Sequence, residues 1–216
     1  MLQAQDVVKH TYMLYIEIQN KIAPIAINAM SEARKTVLQS LIDYIQEKAT
    51  KNKEIRLNFI CTHNSRRSHL SQVWAQAMAA KYGINNVSCY SGGTKATALF
   101  SAAKNTLVAT GFQIQKLSDT ENPVYAIKYA ENSAPIIGFS KTYDDAFNPA
   151  SEFAAILTCS QADESCPFIA GAEKRIPITY VDPKTFDNTP QQEEKYAERS
   201  MQIATEMSYV FSRIKL

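Results

Sequence analysis

The densest chemistry in the chain sits in eight residues, Cys61-Thr62-His63-Asn64-Ser65-Arg66-Arg67-Ser68. A cysteine thiolate is a strong nucleophile. An arginine six positions later offers a planar fork of donors that can hold two oxygens of a tetrahedral anion at once. Backbone N–H groups of a loop that wraps a helix N-terminus converge on one point, and the helix dipole favours negative charge there. The same dipole and the Arg67 guanidinium favour the thiolate form of Cys61. Ser68 can donate its hydroxyl to that thiolate, and Asn64 can pin the loop through its side chain. The residues thus suit covalent chemistry on a phosphate-like group.

Such a loop needs a strand before it and a helix after it. The β run Arg56-Leu57-Asn58-Phe59-Ile60 stops at Cys61, and a helix is predicted from Ser68 to Tyr82, ended by Gly83. Ligands of open α/β sheets bind at such strand ends. A second strand is expected at Val87–Tyr90 before Gly92-Gly93, and a helix at Ser101–Thr110 stopped by Gly111. The apolar run Phe153–Thr158 has the character of a buried parallel strand. Ile176–Val181 is expected to be another. The final helix is predicted to start with Thr189 as cap, Pro190 in the first position and Gln192 completing a capping box. Its buried face is Tyr196, Ser200, Ile203, Met207, Val210 and Ile214. Strands alternating with helices imply a parallel sheet flanked by helices. Pro123–Ile127 and Pro135–Ser140 suggest a hairpin joined around Asn132-Ser133 and inserted between core elements.

The first fifty or so residues have a different character. Asp6–Lys21 and about Asn28–Ala49 are predicted helices separated by Pro24, and nothing in them looks chemical. They are expected to form an N-terminal helical extension, residues 1–53, that packs or dimerises, ahead of a catalytic domain over residues 54–216 with the inserted hairpin near 122–148.

The 216 residues are 45% hydrophobic and 20% charged with a net charge of +2, which recommends neither nucleic acid nor membrane as a partner. No apolar run approaches a membrane span, and Met1–Asp6 lacks the start of a secretion signal, so a cytoplasmic location is expected. In a reducing compartment the four cysteines are catalytic, redox-active or simply buried rather than in structural disulfides. Cys89, within a short strand, is expected to be a packing residue. His63 and His69 are expected at the surface, and with no third ligand near in sequence no metal site is expected. Trp74 is expected in the core.

The loop resembles that of the low-molecular-weight protein tyrosine phosphatase family, and within it the thioredoxin-coupled arsenate reductases. The signature of the family is a cysteine, five residues, then Arg-Ser, with an Asn inside, and Cys61, Asn64, Arg67 and Ser68 match it. The resemblance extends over roughly Ile55 to Leu216 and implies a flavodoxin-like α/β fold. It implies that Thr62, His63, Asn64, Ser65, Arg66, Arg67 and Ser68 bind the oxyanion. It implies too that Asp182, in Val181-Asp182-Pro183, is the acid that protonates the leaving oxygen, with Asp187 as a fallback. Cys159 and Cys166, the latter followed by Pro167, match the spacing of the reductases. By that resemblance Cys61 attacks arsenate, Cys159 attacks Cys61 and releases arsenite, and Cys166 attacks Cys159, leaving a disulfide for thioredoxin. Residues 160–172 show no strong periodicity, which fits a segment that must refold. Gln72 stands where the reductases often carry a glutamate of a cation site, a departure from their pattern.

Arsenate reduction is therefore the first expectation, with no tightly bound cofactor and thioredoxin as reductant. Hydrolysis of phosphotyrosine through a Cys61 phosphocysteine, with Cys159 and Cys166 idle, is the alternative. A binding module without turnover is a third reading, which the triplet Cys61, Arg67 and Asp182 argues against because binding alone needs no acid. Homodimerisation through the N-terminal helices is open.

Overall fold

A computed structural model describes residues 13–165 and 168–216. Cys166 and residues 1–12, including the start of the first predicted helix, lie outside the described residues. The order along the chain is α1 (Ile16–Ile22), a 3-10 turn at Ile27–Ala29, α2 (Glu32–Thr50), β1 (Ile55–Cys61), α3 (Arg67–Lys81), β2 (Val87–Gly93) and α4 (Ser101–Thr110). There follow β3 (Gln113–Lys116), β4 (Tyr125–Lys128), β5 (Ile136–Gly138), β6 (Phe153–Leu157), α5 (Ser160–Ser165), β7 (Ala172–Pro177), a 3-10 turn at Pro183–Phe186 and α6 (Gln192–Ser212).

The four strands β2-β1-β6-β7 form a parallel sheet with helices against it, the α/β class expected. Parallel strands need crossovers, and α3 supplies the one from β1 to β2. Gly93 and Thr142 extend the sheet by an isolated parallel bridge beyond β2. Strands β3, β4 and β5 form a separate antiparallel sheet; β4 and β5 are the two arms of the inserted hairpin, and β3 is a third strand with no strong sequence signal.

The two faces of the parallel sheet are unequal. On one, Ile55, Leu57 and Phe59 of β1 and Ala154 and Ile156 of β6 join a large core with α2, α3 and α6. On the other, Ile60, Cys61, Phe153, Ala155 and Leu157 form a small cluster with Cys159, Ala162 and Ile169, against which partly buried Tyr143 and Ala172 pack. The alternation follows from the two-residue period of a strand. Helix α3 is buried along nearly its whole length, with alanines at 75, 77, 79 and 80 allowing close approach and Trp74 giving its N–H to Ser200 of α6 at 2.9 Å.

Helix α2 starts at Ser31, whose hydroxyl accepts from the Arg34 N–H at 3.3 Å. It buries Leu38, Leu41, Ile42, Tyr44 and Ile45 in the main core, and Lys48 pairs with Glu173 of β7 at 2.6 Å. The extension shares the hydrophobic core of the rest of the chain.

Two expectations need correction. The last strand lies at 172–177, earlier than Ile176–Val181. The run Ile178–Val181 leaves it as an extended segment, still bonded through Ile178 N–H to the Leu157 carbonyl and Tyr180 N–H to the Thr158 carbonyl. Helix α6 opens at Gln192 without the expected box: the Thr189 hydroxyl donates to the Phe186 carbonyl, and the Gln192 side chain instead accepts from the Asn188 N–H at 2.9 Å. Within residues 160–172, which show no strong periodicity in sequence, the first six form α5.

Candidate active site

Strand β1 delivers Cys61 to the carboxyl edge of the sheet, and α3 begins at Arg67, so residues 62–66 turn within five positions around the N-terminus of that helix. Asn64 makes the turn. Its φ of 43° lies in the left-handed region, which asparagine tolerates better than most residues. The fully buried amide is used at both ends: Oδ1 accepts from the Lys141 N–H at 2.9 Å, and Nδ2 donates to the Ser68 hydroxyl at 2.9 Å. Ser68 Oγ lies 3.1 Å from Cys61 Sγ. Because that oxygen already accepts from Asn64, its own hydrogen is free to point at the sulfur, the arrangement that stabilises a thiolate.

The outer wall of the loop is held by its neighbours. The Thr94 and Lys95 N–H groups donate to the Cys61 and Thr62 carbonyls at 3.1 and 2.9 Å. Ser65 Oγ donates to the Ala98 carbonyl at 2.7 Å, and the Thr97 and Ser140 hydroxyls both donate to the His63 carbonyl. Gly93 must be small here: a Cβ on it would stand 2.5 Å from the Lys95 carbonyl oxygen and 2.7 Å from the Asn64 nitrogen.

Arg67 is buried, with both terminal nitrogens held. Nη1 donates to the Tyr180 carbonyl at 2.9 Å, and Nη2 donates to Asp182 Oδ2 at 2.5 Å. Asp182 Oδ1 accepts from the Lys184 N–H at 3.1 Å, capping the 3-10 turn that begins at Pro183. Asp182 therefore stands against the arginine of the loop. Asp187 is turned elsewhere: it takes Nη2 of Arg66 at 2.5 Å and the Tyr196 hydroxyl at 2.6 Å, while Arg66 Nε donates to Tyr196 and its guanidinium lies 4.0 Å over the Phe100 ring. Arg66 is thus anchored by side chains of the protein while still lining the pocket. That pocket is bordered by Cys61, His63, Ser65, Arg66, Arg67 and Asp182. His63 is held below the ordinary histidine range, first by burial and then by the charges of Lys184, Lys95 and Arg66.

Cys159 is a free, buried thiol at the end of β6, the strand beside β1. Its sulfur accepts from the Ala162 N–H at 3.4 Å and lies 3.5 Å from Thr62 Oγ1, the residue after Cys61. Cys89 is buried in β2, and burial pushes its thiol far up, as befits a packing residue. Gln72 gives its amide to the Cys89 carbonyl at 3.0 Å, so it ties α3 to β2.

His69, expected at the surface, is fully buried in the first turn of α3. Its Nδ1 lies 3.3 Å from Ser91 Oγ, and burial with nearby Lys141 pushes its pKa down to about 3, so the ring is neutral. Lys141 escaped sequence reasoning altogether. It is 1% exposed, its ammonium sits 4.3 Å and 5.3 Å from the Phe139 and Phe147 ring centres, and burial pushes its pKa down to about 8. Its backbone braces the loop through Asn64 and the strand end through Gly93, whose N–H donates to the Lys141 carbonyl at 2.9 Å. No group of three or more His, Cys, Asp or Glu among the described residues is placed to hold a metal ion, and no helix there is long and apolar enough to cross a membrane.

No curated protein matches the sequence. Among solved structures the chain is similar to a low molecular weight phosphotyrosine phosphatase of Vibrio cholerae O395, at 12% identity over 73% of this chain and 95% of that one, with a TM-score of 0.49. A low molecular weight protein tyrosine phosphatase from T. tengcongensis is similar at 15% identity over 74% and 100% of the two chains, with a TM-score of 0.47. An arsenate reductase in a phosphate-binding state is similar at 15% identity over 74% and 99%, with a TM-score of 0.47. Cys159, Cys166 and Asp182 lie beyond the segment recognised by sequence. That segment, residues 56–119, matches the model of the low molecular weight phosphotyrosine protein phosphatase family and holds Cys61, Asn64, Arg67 and Ser68.

Proposed function

We propose that Cys61 attacks a tetrahedral oxyanion held by residues 62–68 and that the reaction is the reduction of arsenate to arsenite. The observation that carries the reading is Cys159: a second free thiol, buried 3.5 Å from the Thr62 hydroxyl at the edge of the same loop. The lining of the pocket, His63, Ser65, Arg66, Arg67 and Asp182 around Cys61, is polar and suits a small inorganic anion.

In the first step the Cys61 thiolate displaces an oxygen from arsenate, which leaves as water with a proton supplied by Asp182. The Cys159 thiolate then attacks Cys61 Sγ. The sulfur–arsenic bond breaks, its electron pair reduces arsenic from the +5 to the +3 state, and arsenite departs from a Cys61–Cys159 disulfide. Cys166 attacks Cys159 in turn and frees Cys61, and the dithiol of thioredoxin reduces the Cys159–Cys166 bond. Helix α5 stands between these two cysteines in the chain. In this relay Cys159 meets Cys61 in one step and Cys166 in the next, which requires residues 160–165 to rearrange between them.

A second reading, hydrolysis of a phosphomonoester such as phosphotyrosine through a Cys61 phosphocysteine, is favoured by the placement of Asp182 against Arg67. Hydrolysis needs only Cys61, Arg67 and Asp182. Arsenate turnover with thioredoxin, measured beside hydrolysis of an aryl phosphate on the wild type and Cys159→Ser, separates the two. The reductase reading expects Cys159→Ser to lose arsenate turnover and keep hydrolysis; equal arsenate rates in both proteins would leave the phosphatase reading in its place.

A further inference from the structure

Helix α2 is linked to the segment that carries Asp182 through Arg34. Arg34 lies in its first turn, with Nε and Nη2 donating to the two oxygens of Glu206 on α6 at 2.8 and 2.7 Å. This is a forked pair, which fixes the plane of the guanidinium as well as its position. Glu206 is almost wholly enclosed, with its side chain 3% exposed, and the Gln202 amide adds a bond to Oε1 at 3.0 Å. The guanidinium fixed in this way lies 5.0 Å over the ring of Tyr180. Tyr180 is itself buried, and its carbonyl is the acceptor for Nη1 of Arg67. Two residues on, Asp182 takes Nη2 of the same arginine.

Tyr180 belongs to the extended segment after β7, where its N–H bonds to the Thr158 carbonyl at 3.1 Å. Its carbonyl, on the other side of the residue, faces Arg67. The ring is buried beneath the Arg34 guanidinium, so one residue carries both the contact with α2 and the acceptor for Arg67.

We infer that Arg34 is a positioning residue for the oxyanion site: through Tyr180 it sets the carbonyl that aims the Arg67 guanidinium at the bound anion. The helical extension is then part of the active-site framework, joined to it through α6 and the segment that carries Asp182. The inference rests on the reading of residues 61–68 as an oxyanion loop. Lysine at position 34 would keep the charge against Glu206 yet lose both the second bond of the fork and the flat surface that faces the ring.

The test measures binding of inorganic phosphate by titration calorimetry, together with thermal unfolding, on the full-length wild type, Arg34→Ala, Arg34→Lys and Lys48→Ala. Lys48 anchors the other end of α2 to Glu173 and does not touch Tyr180, so its loss weakens helix docking alone. Arg34→Ala is expected to raise the phosphate dissociation constant about tenfold, and Arg34→Lys about threefold, the span that coupling through intervening side chains covers. Lys48→Ala is expected to lower the melting temperature and leave phosphate affinity within about twofold of wild type. Should Arg34→Ala not fold, Arg34→Lys against Lys48→Ala decides the matter. Equal phosphate affinity in wild type and the Arg34 variants overturns the inference, as does an equal loss in Lys48→Ala. A wild type that binds no phosphate removes the oxyanion reading, and this inference with it.

Discussion

Asn64→Ala should cost the protein both stability and turnover, and the structure gives the size of the first. The substitution deletes the bond from Nδ2 to Ser68 Oγ, worth about 1 kcal/mol, and strands the buried Lys141 N–H, which costs about 2 kcal/mol. Alanine must also hold the φ of 43°, adding about 1 kcal/mol. The total is about 4 kcal/mol, a large share of the stability of any domain, and at a few degrees per kcal/mol it lowers the melting temperature by about 10 °C. Asn64→Gly loses the same two bonds without the strain, but the extra entropy of its unfolded chain offsets most of that relief, so it should match alanine or exceed it by up to about 0.5 kcal/mol. Both variants free the Ser68 hydroxyl from its orienting donor, so turnover should fall together in the two even where their stabilities differ. Urea unfolding of the three proteins, with aryl phosphate or arsenate turnover at a temperature where all are folded, reads both quantities. An alanine variant within 0.5 kcal/mol of wild type, or more stable than the glycine variant, would refute this account of the turn.

Arg67→Lys should abolish most anion binding despite keeping the charge, because one ammonium cannot hold the Tyr180 carbonyl, Asp182 and two anion oxygens in one plane; phosphate titration reads the loss. Gly93→Ala should disable the enzyme at a small cost in fold, since its Cβ would displace the Asn64 and Lys95 backbone, and unchanged turnover would show the loop can yield. Cys166→Ser, given one equivalent of arsenate, should trap a Cys61–Cys159 disulfide visible by peptide mapping, whereas the wild type without thioredoxin should accumulate Cys159–Cys166. Lys141 loses its proton near pH 8 when folded but keeps it to about 10.4 when unfolded, with Asp145 and the neutral His69 the groups that face it. The unfolded state then binds more protons between those pH values, so wild-type stability should rise across that window relative to Lys141→Met, as urea melts at pH 7.5 and 10 would show.

Where a residue's local conformation is unique to its type, the sequence spoke clearly. Gly83 and Gly111 stop α3 and α4 with φ of 71° and 110°, values other residues avoid, and both helix ends were legible for that reason. The order of strand, Cys61, polar loop and Arg67 was legible because the chemistry itself dictates those residue types. The last strand was not, because β7 is an edge strand whose outer residues are charged: Glu173 answers Tyr44 and Lys48, and Lys174 reaches the Ser40 carbonyl. Those partners come from α2, far away in sequence, and a search for an apolar run passes over them. The expected cap at Thr189 failed because the preceding 3-10 turn claims its hydroxyl for Phe186. His69 and Lys141 look like surface residues in any local window, and only the way the second sheet and the loop close over them puts them inside. The tie from Arg34 to Tyr180 joins residues 146 positions apart and has no local signature.

The unequal faces of the parallel sheet divide the free energy of the molecule into two tiers. The large core ties α2, α3 and α6 to the sheet, and breaking it is breaking the fold. On the other face, among the described residues, Ala162 from α5 and Ile169 from the segment after it close over Ile60, Phe153 and Leu157, with partly buried Tyr143 and Ala172 at the margin. A segment that buries so little can open on its own while the rest stays folded. Amide hydrogens of residues 160–165 should therefore exchange through an opening far smaller than global unfolding, with a denaturant dependence close to zero, while those of β1 and β6 wait for the whole domain. A destabilising change in the large core would lower the second tier and leave the first untouched. Evolution could thus stiffen or soften the protein as a whole without retuning the motion that would carry Cys159 between its partners.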